Sequence, residues 1–174
     1  MKKTNYLFKV FYLSDFMFKE VILKGSFIKA FLTYLGFSIL IIAVAFYFLF
    51  DNRLVGPAFL FLGLFNIALL YLFRIPPKSV YPDMIFGVID NGILVFGAVL
   101  GGIYGGVAGA VIGGAAGNTI TDGIGGLFEG HIAENQRKYQ IDNLRTALST
   151  SLGKMAGCLF GAGAALIIVD IMKI

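Results

Sequence analysis

GGVAGAVIGGAAGNTITDGIGGLFEGHIAE, residues 105–134, reads as an apolar helix paved with glycine. In steps of four, one row runs Gly105, Gly109, Gly113, Gly117, Thr121, Gly125. Its neighbour runs Gly106, Ala110, Gly114, Asn118, Asp122, Gly126, Gly130. Residues four apart share a helix face, so this helix has a smooth side on which Asn118 and Asp122 sit one turn apart. Rows of small residues let helix backbones approach closely in lipid. An ionisable group inside a membrane span is costly and usually faces protein or a water-filled cavity. Together these features imply a buried polar site between helices of a membrane protein.

Composition agrees with that class. The chain of 174 residues is 58% hydrophobic and only 14% charged, and its mean hydropathy is +0.86, which excludes an ordinary soluble domain. Cys158 is the single cysteine and His131 the single histidine. A disulfide framework, a CxxC metal site and a multi-histidine centre are therefore excluded. Cys158 reads as a small buried hydrophobe and His131 as a surface residue of a charged loop. The net charge of +4 is small, and the basic residues gather at span ends. They read as topology determinants and not as a nucleic-acid surface.

The fold expected is an all-α integral membrane protein with about five transmembrane helices and an N-terminal interfacial amphipathic helix. Residues 1–29 interleave aromatics with Lys9, Asp15, Lys19, Glu20 and Lys24. They offer no apolar run of about 20 residues, as a span needs, and so form the interfacial helix. Lys9 and Asp15 break the apolar character of a signal peptide, and the segment lacks the arginines of a transit peptide. Two Phe- and Leu-rich spans follow over 30–78, about 30–50 and 55–73, lipid-facing, with Asn66 the interior polar group. Pro76 and Pro77 stop the second. Residues 79–174 form a glycine-rich core of three spans, at about 83–100, 107–127 and 149–171. Gly101, Gly102, Gly105 and Gly106 make a tight turn between the first two, with Ile103 and Tyr104 at its tip. The segment from Glu129 to Arg145 is a charged loop. Lys and Arg are concentrated before the first span, around Arg74 and Lys78, and around Arg137, Lys138 and Arg145, which puts the N-terminus in the cytoplasm and the C-terminus outside.

Depth then brings polar residues together. Asp90 and Asp122 each lie roughly 8–11 Å inside from the cytoplasmic ends of antiparallel spans at the helical rise. Asp90, Asn91, Asn118 and Asp122 are expected to converge there, with Thr121 and Ser149 adding hydroxyls and Lys154 within reach. Carboxylates, amide carbonyls and hydroxyls are hard oxygen ligands, suited to Na⁺, Ca²⁺, Mg²⁺ or Mn²⁺. Two carboxylates in a low dielectric repel, so without a cation one takes a proton. Interhelical hydrogen bonding is the structural alternative. Glu129 and Glu134, beyond the apolar run, read as solvated.

Three stretches, FGVIDNGILVFGA (86–98), AAGNTITDGIGGLFEG (115–130) and LSTSLGKMAGCLFG (148–161), resemble the transmembrane protein 65 family. The family pattern matches at Phe86, Gly87, Asp90 and Asn91; at Gly117, Asn118, Thr121 and Asp122; and at Leu148, Ser149, Thr150, Leu152, Gly153 and Lys154. The resemblance spans about residues 84–165. Animal members are mitochondrial inner-membrane proteins associated with sodium-dependent calcium efflux, so it implies cation transport or its regulation. The two additional N-terminal spans and the uncharged glycine turn depart from the family and point to a prokaryotic plasma membrane. A looser similarity to vacuolar iron transporters lacks their Glu-rich insertion, which ranks iron below calcium or sodium.

The function expected is a cation transporter or exchanger with its site between the third, fourth and fifth spans. The alternative is a non-transporting subunit or regulator of an exchanger. No enzyme is expected, since no nucleophile–base pair stands out, and no tightly bound cofactor. The expected partners are the bilayer, inorganic cations and a second copy in a homodimer.

Overall fold

The computed structural model describes residues 25–48, 52–138 and 146–173. Its regular structure is helical: α1 (Gly25–Tyr47), α2 (Asn52–Leu72), α3 (Pro77–Lys138) and α4 (Ala147–Met172). Each carries a stretch long and apolar enough to cross a membrane, which marks the chain as a membrane protein. The interfacial helix expected over 1–29 lies outside the described residues, apart from 25–29, which belong to α1.

The apolar part of α3 is 52 residues long, about 78 Å at the helical rise against a hydrocarbon core of about 30 Å. The helix does not run straight. Gly106 has φ 59° and ψ −145°, a backbone region that only glycine occupies without strain. There the chain folds back, giving two arms, residues 77–105 and 107–138. The expected four-glycine turn is thus a one-residue break, and Ile103 and Tyr104 remain helical. The other three glycines keep helical geometry because they serve contact, or nothing, but not the turn.

The arms touch backbone to backbone. A Cβ on Gly97 would lie 2.5 Å from the Gly113 carbonyl oxygen, and one on Gly101 would overlap the Gly109 carbonyl. Gly117 faces Ile93, and Gly125 accepts the Phe86 ring in the space a side chain would fill. The pairing is antiparallel throughout, and the glycine row beginning at Gly109 is what permits it.

Helix α4 sits at the centre, against both the first arm of α3 and α2. Gly153, Gly157 and Gly161 lie on Val80, Met84 and Val88, so α4 runs parallel to that arm. On its other side Gly163 meets Gly56 and Leu60, and Gly63 meets the Phe160 ring. Two apolar clusters fill the seams: Phe37, Leu62 and Leu159, and Leu70, Val80 and Leu152. The pair expected to face lipid is therefore unequal. Helix α2 is packed on α4 by its own glycines, while α1 reaches the bundle mainly through Ala30 and Phe37, which stacks on Phe65 at 6.0 Å.

The helix ends follow local chemistry. Ile75 N–H donates to the Leu70 carbonyl (2.9 Å) and Arg74 N–H to Tyr71 (3.0 Å), the two bonds of a Schellman cap. Arg74 takes φ 55° there, a position usually left to glycine. Thr146 caps α4 with a reciprocal bond to Ser149. Helix α3 continues to Lys138, so residues 129–138 of the expected loop are helical, and Glu134 and His131 are exposed helical residues, His131 3.0 Å from the Asn135 amide.

Candidate functional site: a buried carboxylate in the α3 hairpin

Asp90 and Asp122 are equally far from Gly106 along the two arms, so they stand at one level, about 24 Å from the fold-back at the helical rise. Level is not direction. Successive helical residues point about 100° apart. The row Gly109, Gly113, Gly117, Thr121, Gly125 keeps the inter-arm contact, and Asp122, one residue beyond Thr121, is turned out of it: in its own row Gly114 is buried, Asn118 half-buried, Asp122 and Gly126 exposed. The expected convergence fails for this geometric reason.

Asp90 points inward and is 7% exposed. Its Oδ1 accepts a hydrogen bond from the Thr121 hydroxyl across the hairpin. That hydroxyl also lies 3.0 Å from the carbonyl oxygens of Gly117 and Asn118. Thr121 is itself 1% exposed. Asp122, the next residue, projects out of the hairpin. Its Oδ2 accepts a 2.8 Å hydrogen bond from Asn118 Nδ2 on the same helix. Asn91, adjacent to Asp90, shares the helix face of Met84, Gly87 and Val88, which pack on α4.

Ser149 is placed elsewhere. Its hydroxyl accepts from Thr146 N–H (2.8 Å) and donates to the Thr146 carbonyl (3.0 Å), both within the α4 cap. The parallel register of α4 on the first arm sets it about 21 Å from Asp90 along the axis at the helical rise. Lys154 lies over the Phe86 ring, 4.4 Å from its centroid, a cation–π geometry. Of the six expected ligands, then, Asp90 and Thr121 meet, Asn118 and Asp122 meet on another face, Asn91 faces α4, and Ser149 caps a helix. Among the described residues, no three His, Cys, Asp or Glu side chains gather closely enough to hold a metal by themselves. What remains at Asp90 is a group of hard oxygens around one hydroxyl.

Three buried polar residues were not assigned to the site: Ser79, whose hydroxyl donates to the Pro76 carbonyl (2.8 Å), Asp83 and Asn66. Asp83 is 3% exposed; its spacing of seven from Asp90 puts both on one helix face, a signal present in the sequence. Asn66 is 0% exposed, and neither side-chain polar atom has a hydrogen-bond partner among the described residues.

Comparison with protein-family models, curated proteins and solved structures returns no match.

Proposed function

We propose that this protein is a membrane cation transporter or exchanger in which Asp90 is the ion-binding carboxylate. The observation that carries the reading is the Asp90–Thr121 pair with its two adjacent carbonyls. A hydroxyl has one proton and two acceptor sites. When Asp90 is charged, Thr121 donates to it. When Asp90 is protonated, the carboxyl donates to Thr121, whose own proton turns to the Gly117 or Asn118 carbonyl. The pair stays hydrogen-bonded in both states, so the carboxyl can lose and regain a proton without leaving a buried polar atom unsatisfied. When a cation is bound, the same oxygens face it as ligands of the type taken by Na⁺ or Ca²⁺, with Mg²⁺ and Mn²⁺ of the same class. The resemblance to the transmembrane protein 65 family supports the same reading. Five crossings follow, counting the arms of α3 separately, in a prokaryotic plasma membrane, with the N-terminus cytoplasmic and the C-terminus outside.

A second reading, a non-transporting subunit or regulator of an exchanger, is favoured by one observation: Asp90 already has a partner in Thr121 and can act as interhelical glue. Purified protein in liposomes separates the two. Transport predicts Na⁺- or Ca²⁺-dependent flux in the wild type, lost in Asp90→Asn. A silent wild-type protein that co-purifies with an exchanger establishes the second reading instead.

A further inference from the structure

The second arm of α3 has two faces of small residues, and only one is used. Gly109, Gly113, Gly117 and Gly125 are in contact with the first arm. On the opposite side Ala115, Thr119, Asp122 and Gly126 follow at spacings of four, three and four, with Asn118 and Gly123 beside them. All but Asn118 are exposed. Nothing lies within 4 Å of where a Cβ on Gly123 or Gly126 would stand. This strip lies within the apolar length of α3, so in one copy it presents a carboxylate and an amide to hydrocarbon. Each polar group left unsatisfied there is costly. Asn118 uses one N–H on its own Asp122 and has a second. Asp122 has lone pairs left.

We infer that a second copy of this chain packs on the strip, about a two-fold axis along the membrane normal. Depth identifies the occupant. A cover for Asp122 must bring a polar group to the same level of the bilayer, and a two-fold copy does so by construction. The second N–H of Asn118 then donates to the partner's Asp122, and the bond is returned from the other side. The polar centre is incomplete in one copy and closed in two. Gly123 and Gly126 supply the flat ground that lets the backbones come near enough. This inference rests on the membrane placement and not on transport, and its test reads mass and cross-links, so either proposal can fail alone.

In a Cys158→Ser background, Thr119→Cys and Gly126→Cys are expected to give a disulfide-linked dimer on oxidation in native membranes. Ile42→Cys, on the exposed side of α1, is expected to stay single. Because a larger side chain at either open glycine meets nothing within one copy, Gly123→Leu and Gly126→Leu should convert the wild-type two-chain mass to one chain. Each should leave the melt of the single chain unchanged. A wild-type protein of one-chain mass overturns the inference. So does a dimer that persists in both Leu variants, or cross-linking at Ile42→Cys as fast as on the strip.

Discussion

Asp90 and Thr121 can be separated energetically by substitutions that keep their shape. Thr121→Val removes the hydroxyl and leaves the carboxyl without its donor, which should cost about 1–3 kcal/mol. Asp90→Asn keeps an amide that can bond Thr121 and should cost less, while removing the charge an ion needs. Thermal melts across Na⁺, Ca²⁺, Mg²⁺ and Mn²⁺ should show an ion-specific rise in the wild type, about 2.7 kcal/mol at a hundredfold excess over Kd, and none in Asp90→Asn. Asp122→Asn should retain that rise, because Asp122 faces away from Asp90. Loss of the rise in Asp122→Asn but not in Asp90→Asn would transfer the ion to the outer face. Asn66 makes a prediction of the opposite sign. With both polar atoms unpartnered among the described residues, Asn66→Leu should raise stability by about 1 kcal/mol, since an apolar group replaces one whose burial is uncompensated. A fall in melting temperature would show that the amide has a use.

At the scale of helices, glycine positions sort by what a methyl group would strike. Gly113→Ala puts a methyl into the Gly97 carbonyl, whereas at Gly117 the nearest atom, the Ile93 carbonyl oxygen, is 3.1 Å away. Gly113→Ala should therefore cost more than Gly117→Ala, on the order of 1–3 kcal/mol as overpacking does. Gly106→Ala should strain the fold-back by a similar amount, while Gly105→Ala, with open space around it, should be neutral or gain about 1 kcal/mol of helix propensity. Denaturation of the four variants in one detergent checks the order. These contacts also show what the sequence made legible. Apolar runs and glycine rows located the helices and the hairpin because both report directly on lipid and on close approach. The side each polar residue faces was hidden because two adjacent small-residue rows look alike in the sequence, and the packing selects the one beginning at Gly109 for the inter-arm contact. Gly56 and Gly63, seven apart and so on one face, went unread as only two small residues in a Phe- and Leu-rich span, and the extension of α3 to Lys138 because polar residues continue a helix as readily as they end one.

For the whole bundle the decisive element is α4. It alone touches α2 and the first arm of α3 through glycine contacts on opposite sides. Gly157→Ala, which would overlap the Met84 carbonyl, and Gly163→Ala, 2.9 Å from the Gly56 carbonyl oxygen, should each loosen a different seam. Their combined loss should be close to the sum, as for sites without shared partners. A double-variant cycle by thermal melting tests this. Coupling much above about 0.5 kcal/mol would mean that α4 shifts bodily, so that disturbing one seam disturbs the other.

The order in which a ribosome delivers these helices gives that central position a temporal meaning. Both arms of the hairpin are translated before α4, so the partner that shelters the Asp90 carboxyl, Thr121, is available early. The groove on the first arm that receives Gly153, Gly157 and Gly161 must wait, because its filler is translated last among the four helices. During that interval Val80 and the bare backbone at Gly87 have no α4 beside them, and a half-made chain exposes to quality control what the finished one hides. Nascent chains halted before Thr146 should accordingly be cleared from the membrane faster than the complete protein. Supplying residues 146–174 as a separate polypeptide in the same cell should lengthen their lifetime in a pulse-chase.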